Sequence, residues 1–414
     1  MSENEINSIN NAELRPIKLK IYSLITLLNS YAHGILIPVM SLILLSKGIT
    51  LSNLSIVLGL YALTVVVLEL PTGIAADILG RKKVFCLSLL VSVISFTIVL
   101  FGRGMLVLCI GMMFHGLSRA LSSGSFDALF IDWYIDNFGK DKLHKITTRL
   151  SVLDALGLSL GAITGGIFPI ISGNYLPMLG EYDLNLIVKI LLTLASAAFS
   201  FIFITETSVT KKTERISVKE HIQNSSTFIL KNKSILYIFV SVLSTGFFLS
   251  ALETYWQPHF KSILPDNSLL WLLGILAFLY LGAGMIGSIA SEKVMDKFKF
   301  DNIKLYLCLR LLLAISLFLM AIQTRIPSFI ALYTITYLFF GMANIPESVI
   351  INSEIPNEIR ASVLSTSSLI FQFGALSGSL INSIVINYIS VSTLWMIAAG
   401  IILLSLLLIY KNLK

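Results

Sequence analysis

Three ionisable side chains, Glu69, Arg119 and Asp154, lie inside long runs of apolar residues. An arginine does not lose its proton near neutrality, whereas the proton affinity of a carboxylate rises on desolvation and falls beside a guanidinium. An arginine and a carboxylate that part and meet again can therefore take up and release protons. A permanent ion pair that only joins two helices is the alternative. Glu69 is the first candidate partner for Arg119, and Asp154 is the second.

Two histidines and an asparagine also fall near the middle of apolar runs: Asn29, His33 and His115. A neutral histidine that is satisfied by a neighbouring helix is one interpretation. Because histidine titrates close to neutrality, binding of a solute or relay of protons is the other. The sequence leaves both open.

The composition shows what kind of element carries these residues. The 414 residues are 56% hydrophobic and 13% charged, with a mean hydropathy of +0.86. A soluble domain carries roughly a quarter charged residues, so the chain is predicted to be an all-α membrane protein. Its net charge of +7 comes from basic residues between the apolar runs, which mark a cytoplasmic side rather than a nucleic-acid partner.

Twelve apolar runs are long enough to span a bilayer, which takes about 20 residues. We number them spans one to twelve. They cover residues 17–46, 52–72, 82–101, 104–131, 146–172, 184–205, 234–258, 268–290, 303–322, 326–350, 361–388 and 391–410.

The basic residues orient these spans. With both termini in the cytoplasm, 23 of the 30 lysines and arginines fall on the inside and 4 in outer loops. This asymmetry predicts a multi-pass protein of the inner, cytoplasmic membrane. Cys86, Cys109 and Cys308 lie within spans without metal-ligand spacing, so we expect free thiols and no metal site.

One long polar stretch divides the chain into two predicted bundles of six helices each. It follows span six and is predicted to be a cytoplasmic linker. Two such halves suit parallel repeats related by an axis along the membrane normal. The predicted organisation is an N-terminal tail, a first bundle, the linker, a second bundle and a C-terminal tail, over residues 1–16, 17–206, 207–233, 234–410 and 411–414.

The most specific motif follows span two and contains Gly73, Asp77, Gly80 and Arg81. Glycine at these positions permits close helix approach and a tight turn. Asp77 and Arg81 can bridge neighbouring helix ends and hold a cytoplasmic gate shut. The motif resembles the signature between helices two and three of the major facilitator superfamily, a family of twelve-helix transporters that includes drug and metabolite exporters.

Three further stretches are similar to motifs of that family. Span five carries Gly157, Gly161, Gly165 and Gly166, which resemble the glycine-rich motif of antiporters, although close packing alone explains small residues equally well. The end of span six, residues 204–207, and the segment 354–362 also look like family motifs. The resemblance covers the whole chain.

The resemblance implies roles for single residues. Arg119 is similar to an arginine that is linked to proton transfer, and Asp127 would be a partner of the gate formed by Asp77 and Arg81. A solvated helix end is the alternative for Asp127. Lys189 and Arg310 fall on helices that are peripheral in the family, so we expect them to extend to a membrane interface.

Span seven ends with Glu253, Trp256 and Gln257, and span ten carries Glu347. Glu253 is expected near the outer membrane interface, where Trp256 and Tyr255 would be comfortable in an aromatic belt. Span seven lines the central cavity in the resembling family, so contact with substrate is the second interpretation. Glu347 is another cavity candidate, closer to the cytoplasm.

The predicted function is secondary active transport by alternating access. The leading hypothesis is a monomeric proton-coupled antiporter that exports a small amphipathic or toxic compound, such as a drug, an antibiotic or a peptide-like metabolite. Its partners would be the substrate, protons and lipid. The alternatives are a proton-coupled importer of a sugar, peptide fragment or siderophore, and a receptor or lipid-handling protein. The sequence lacks a GxxxxGK loop and the usual enzyme motifs, so the proton gradient rather than a cofactor would drive the cycle.

Overall fold

The structure, a computed structural model, describes residues 3–123, 125–139, 143–204, 232–298, 301–355 and 360–412. Within these ranges the chain forms fourteen α-helices, one short 3₁₀ turn and no strands. Eleven helical spans in the same ranges are long and apolar enough to cross a membrane. The protein is therefore a multi-pass membrane protein whose described part is built from helices.

The first eight helices are α1 (Glu3–Gly34), α2 (Met40–Ser46), α3 (Leu51–Leu79), α4 (Arg81–Phe101), α5 (Met105–Ser122), α6 (Phe126–Phe138), α7 (Leu143–Tyr175) and α8 (Asp183–Phe203). The remaining six are α9 (Lys233–Ile263), α10 (Trp271–Phe298), α11 (Asn302–Ala321), α12 (Ile326–Glu354), α13 (Arg360–Val385) and α14 (Val391–Asn412).

Two predicted spans are broken in the structure. Span one becomes α1 and α2, separated by a turn that contains Pro38. Proline lacks an N–H group and disfavours helix at the residue before it, so the apolar run does not continue as one helix. Span four is likewise divided into α5 and α6. The first span is not among the eleven, and the count of twelve stays a prediction, as does the position of the termini.

The chain divides into two compact units. Unit 1 comprises Met1–Ile49, Leu60–Lys211 and Leu270–Ile275, and unit 2 comprises Thr50–Gly59, Lys212–Leu269 and Leu276–Lys414. The predicted linker 207–233 lies outside the described residues except for its last two positions.

Unit 1 is held together by α1 packed on α7 and by α4 packed on α5 and α8. Aromatic residues from α1 and α6 form its core. The ring of Tyr22 stacks on Phe130 with centroids 4.6 Å apart and on Trp133 at 5.1 Å. This stack fixes α6 against α1 and so positions the residues at the start of α6.

Unit 2 is built around α9, which packs on α13 and α14, while α11 packs on α12 and α14. Side chains cap two of its helices. Asn232 accepts a hydrogen bond from the amide of Ile235 at the start of α9, and Asp301 accepts two from Ile303 and Lys304 at the start of α11. Such caps satisfy amides that have no partner within the helix.

A largely buried ion pair joins the end of α2 to the start of α8. Lys47 Nζ lies 2.6 Å from Asp183 Oδ1 and donates to the carbonyl of Leu100 at 2.7 Å. We expect Asp183→Asn to lower the free energy of unfolding by about 3 kcal/mol, because it leaves a buried ammonium without its counter-charge. A thermal melt of the purified protein measures this. The double variant Lys47→Met with Asp183→Leu should recover most of the loss, and an unchanged melt for Asp183→Asn would contradict the assignment.

Candidate transport cavity and buried charges

A cavity of about 280 Å³ lies within unit 1, between α1, α5, α6 and α7. Nine of the eleven residues on its wall are polar or charged, which is unusual for a surface inside apolar helices. The wall consists of Thr26, Asn29, Ser30, Arg119, Ser122, Ser123, Phe126, Asp127, Leu150, Ser151 and Asp154. The cavity wall is thus suited to binding a polar group.

Three of the wall residues carry charge: Arg119, Asp127 and Asp154. The sequence analysis named all three, and the structure brings them onto one surface. Asp127 lies within electrostatic range of both Arg119 and Asp154, and the hydroxyl of Ser30 donates to Asp154 Oδ1 at 2.5 Å. One guanidinium faces two carboxylates here, so the ionised site has an excess of negative charge.

Glu69, the first predicted partner of Arg119, lies beside this site rather than on its wall. Its carboxylate accepts a hydrogen bond from Ser123 Oγ at 3.0 Å, and Ser123 lines the cavity. The structure therefore brings Asp154, the second candidate, onto the same wall as Arg119, with Glu69 one hydrogen bond away.

Two members of the predicted gate, Arg81 and Asp127, lie within the described side chains. Arg81 forms an ion pair with Asp132 of α6, while Asp127 lies on the cavity wall. The side chain of Asp77 lies outside the described part of the chain. Asp132 lies five residues, about one and a half helical turns, further along α6 than Asp127.

The two glycines of this motif also differ. Gly80 has a φ of 100°, a conformation that glycine adopts without steric cost. No described atom lies within 4 Å of the position that a Cβ at Gly73 would occupy. The close helix approach expected at Gly73 is therefore not seen.

The glycines of α7 do make close helix contacts. A Cβ at Gly157 would lie 2.7 Å from Ser30 Cβ, at Gly161 2.3 Å from the Tyr31 carbonyl oxygen, and at Gly165 2.2 Å from that of Ile35. A Cβ at Gly166 would lie 2.5 Å from the amide nitrogen of Gly274. The first three let α7 lie directly against α1, the helix that carries Asn29 and Ser30 into the cavity.

The histidines lie away from the cavity wall. The ring of His115 is buried, with the rings of Tyr61 and Phe96 at centroid distances of 4.7 and 4.8 Å and that of His33 at 6.3 Å. Its Nδ1 has no hydrogen-bond partner among the described residues. His115 is thus an interior residue, and Asn29 alone of this predicted group lies on the cavity wall.

The prediction that Lys189 and Arg310 extend to a membrane interface is wrong, because both side chains are buried. Lys189 is 0% exposed and Arg310 is 2% exposed. Peripheral helices were expected to turn these charges outward, yet each side chain points into its own unit. The ammonium of Lys189 lies 5.5 Å from the ring centroid of Phe96 and has no hydrogen-bond partner among the described residues.

Arg310 belongs to a buried polar network in unit 2. Its guanidinium donates to Thr245 Oγ1 and Ser244 Oγ, each at 2.6 Å. On the preceding turn of α11, Tyr306 Oη lies 2.5 Å from Glu347 Oε2 and 2.8 Å from Ser241 Oγ. Glu347, a predicted cavity residue, is thus tied to a tyrosine that the sequence analysis did not single out.

We expect Lys189→Met to raise the melting temperature, because methionine fills the same space without burying an amine that lacks a partner. The free energy of unfolding should rise by about 1–3 kcal/mol. Arg310→Met is the matched contrast and should lower the melting temperature, since it leaves the Ser244 and Thr245 hydroxyls without their donor. Destabilisation by both substitutions would show that Lys189 is satisfied in the folded protein.

Of the predicted group on α9, one side chain is exposed. Glu253 is exposed, whereas Trp256 is 2% and Gln257 4% exposed. Tyr255 is also buried, so an aromatic belt at the membrane interface is wrong for these residues. Trp256 instead packs on Tyr280 and Tyr333 of α10 and α12.

The polar, charged cavity lies among helices that are long and apolar enough to span a membrane. A family model described as "Major Facilitator Superfamily" matches residues 22–308. The chain belongs to the major facilitator superfamily and is a transporter by class.

Two relatives are similar in sequence over part of their length. The "Uncharacterized MFS-type transporter YxaM" of Bacillus subtilis (strain 168) is 24% identical over 254 residues, which are 59% of each chain. The "Tetracycline resistance protein, class B" of Escherichia coli is 23% identical over 273 residues, 65% of this chain and 63% of the relative. The match thus spans about three fifths of each relative.

Solved structures share the fold over nearly the whole chain. The nucleoside transporter NupG superposes with a TM-score of 0.80 and 15% identity, covering 96% of this chain and 99% of NupG. A bacterial homologue of the human lysosomal transporter Spinster superposes with a TM-score of 0.72 and 12% identity. The match covers 96% of this chain and 98% of that homologue. At these identities the likeness concerns the fold alone.

Proposed function

We propose that the protein is a proton-coupled antiporter that exports a small toxic or amphipathic compound by alternating access. The observation that carries this proposal is the cavity of unit 1, where Arg119, Asp127 and Asp154 share one wall within membrane-spanning helices. Charges at such depth are costly and are found where ions or substrates pass. The similarity to a tetracycline resistance protein supports export over import.

The geometry suggests how protons and substrate compete. A carboxylate binds a proton more weakly beside a guanidinium and more tightly when it is desolvated. Movement of α5 relative to α7 would change the separation of Arg119 and Asp154. A substrate that binds the ionised wall would then displace the proton, and a proton would displace the substrate in the other state. Two ligands competing for one charged site give exchange without a cofactor.

A growth assay tests export. The protein is expressed in a bacterial strain without its own efflux pumps and challenged with a panel of antibiotics, dyes and peptides. We expect protection against at least one compound, and loss of that protection in Arg119→Ala and Asp77→Asn at equal membrane levels. Sensitisation by the unchanged protein would overturn the direction, and full protection by both variants would overturn the mechanism.

The second candidate is a proton-coupled importer of a polar nutrient such as a sugar, a peptide fragment or a siderophore. The polar wall favours it, because apart from Phe126 and Leu150 every residue on the wall can bond or attract a polar group. The shared fold with a nucleoside transporter is compatible with this direction as well. Fold does not choose between the directions, so the sign of the growth effect decides.

We also propose the remaining features of the transporter. Both termini would be cytoplasmic, in the inner membrane, as the distribution of lysine and arginine indicates. Two bundles of six spans would flank the linker, and the working unit would be a monomer. Cysteine labelling of the two ends from either side of the membrane checks the orientation.

A further inference from the structure

A carboxylate and four aromatic rings lie close together within unit 2. Tyr337 Oη donates to Glu253 Oε1 at 3.4 Å, a long hydrogen bond, and Tyr280 lies within electrostatic range of the same carboxylate. The rings of Tyr280 and Tyr337 are 4.4 Å apart between centroids. Trp256 and Tyr333 pack behind them, with Trp256 at 5.8 Å from Tyr280 and Tyr333 at 5.2 Å from Tyr337. The carboxylate therefore has an aromatic wall beside it.

Exposure divides these residues into a front and a back. Glu253 is exposed, although it lies 20 residues into a 31-residue membrane-spanning helix. All four rings are buried, but Tyr280 and Tyr337 keep 9% and 6% of their surface exposed, against 2% for Trp256 and 0% for Tyr333. A carboxylate turned toward acyl chains would cost several kcal/mol, so such residues face a water-filled path. The front of this cluster consists of Glu253, Tyr280 and Tyr337.

Glu253 has no salt-bridge partner within the described ranges. Among the described residues its one hydrogen bond comes from a neutral phenol, which leaves most of its acceptor capacity free. Structural carboxylates in apolar surroundings are paired with a cation. The missing partner here is a positive charge, which aromatic rings beside a carboxylate also attract.

The cavity of unit 1 independently favours a positively charged ligand. Its wall sets Asp127 and Asp154 against the single charge of Arg119, so the ionised wall also favours a cation over an anion. At neither the cavity of unit 1 nor the Glu253 cluster do the described residues carry an excess of positive charge.

We infer that Glu253, Tyr280 and Tyr337 form a binding site for the positively charged group of the substrate, and that the transported compounds are organic cations. This inference rests on the proposed transport function and names its substrate class. Glu253 supplies the counter-charge, the two tyrosines supply the aromatic surface, and Trp256 with Tyr333 hold those rings in place.

Equilibrium binding to the purified protein in detergent, at fixed pH and without a gradient, tests the inference. The probes are tetraphenylphosphonium and tetraphenylborate, which share a shape and carry opposite charges. We expect saturable binding of the cation and at least about tenfold weaker binding of the anion. Glu253→Gln, which keeps the acceptor for Tyr337, should weaken binding of the cation about tenfold or more, as for loss of a close charge in a partly desolvated site.

Two matched substitutions separate a binding role from a structural one. Tyr280→Phe keeps the ring and should retain affinity within about twofold, whereas Tyr280→Leu should lose about fivefold. Equal affinity for both probes, or unchanged binding in Glu253→Gln with a normal melt, would overturn the inference. Because no gradient is present, failure of binding is distinct from failure of proton coupling, which the exchange assay below measures.

Discussion

Replacing Asp154 by asparagine is expected to remove proton-driven transport while leaving the fold intact. Asparagine keeps the shape of the side chain and the oxygen that accepts the Ser30 hydrogen bond, but it neither binds a transported proton nor attracts Arg119. Transport driven by a proton gradient should fall roughly 10- to 100-fold, which corresponds to the loss of about 1–3 kcal/mol of coupling free energy. Uptake of a substrate from the growth panel into energised inverted vesicles measures it.

Asp266→Asn is the matched control for Asp154→Asn. Asp266 lies in an exposed loop before α10, where its carboxylate accepts a hydrogen bond from the Ser268 amide. The same change of chemistry there should leave transport near its original rate. If Asp154→Asn transports normally while its melting temperature is unchanged, the cavity of unit 1 is not the coupling site.

Replacing Gly165 by leucine is expected to prevent folding of unit 1. A Cβ at this position would lie 2.2 Å from the carbonyl oxygen of Ile35 and 2.9 Å from its Cα. Those atoms belong to the backbone and cannot move aside as a side chain would, so α7 and α1 would have to separate. Overpacking usually costs about 1–3 kcal/mol, and a backbone clash that displaces a helix should exceed that range. Size-exclusion chromatography of the detergent-extracted protein should show loss of the monodisperse peak.

Gly173→Leu provides the comparison within the same helix. No described atom lies within 4 Å of a Cβ at Gly173, so leucine there should fold and melt like the original protein. A normal elution profile and melt for Gly165→Leu would mean that α1 and α7 are not packed as described.

The helices were largely predictable because an apolar run long enough to span a bilayer has few alternatives to helix. The predicted run 303–322 is α11, Asn302–Ala321, and the run 82–101 is α4, Arg81–Phe101. Prediction failed where the run contains a local break. Pro38 interrupts the first span, and the break between α5 and α6, which lies among serines, interrupts the fourth.

The types of residue at the site could be predicted from the sequence, but the directions in which their side chains point could not. A charge in an apolar run is conspicuous, so Arg119 and Asp154 could be named from the sequence. Which way a side chain points depends on the rotation of its helix, and this rotation is set by packing that the sequence does not state. For that reason Lys189 and Arg310 were assigned to the membrane interface, although both are buried.

The aromatic wall beside Glu253 left no sequence signal. Tyr333 and Tyr337 are four residues apart on α12, a spacing that is common in helix cores, and Tyr280 lies more than 50 positions earlier on α10. Their meeting depends on how α10 and α12 pack. The tyrosine that contacts Glu347, Tyr306, was missed for the same reason.

Proton movement tied to substrate movement tests the central claim most directly. The purified protein is reconstituted into liposomes with an acidic interior and an enclosed pH-sensitive dye, and a substrate from the growth panel is added outside. Proton-coupled antiport predicts that the interior becomes more alkaline on addition of substrate, and that Asp154→Asn abolishes the change. Acidification of the interior would establish symport, and a substrate flux without any change in pH would contradict proton coupling.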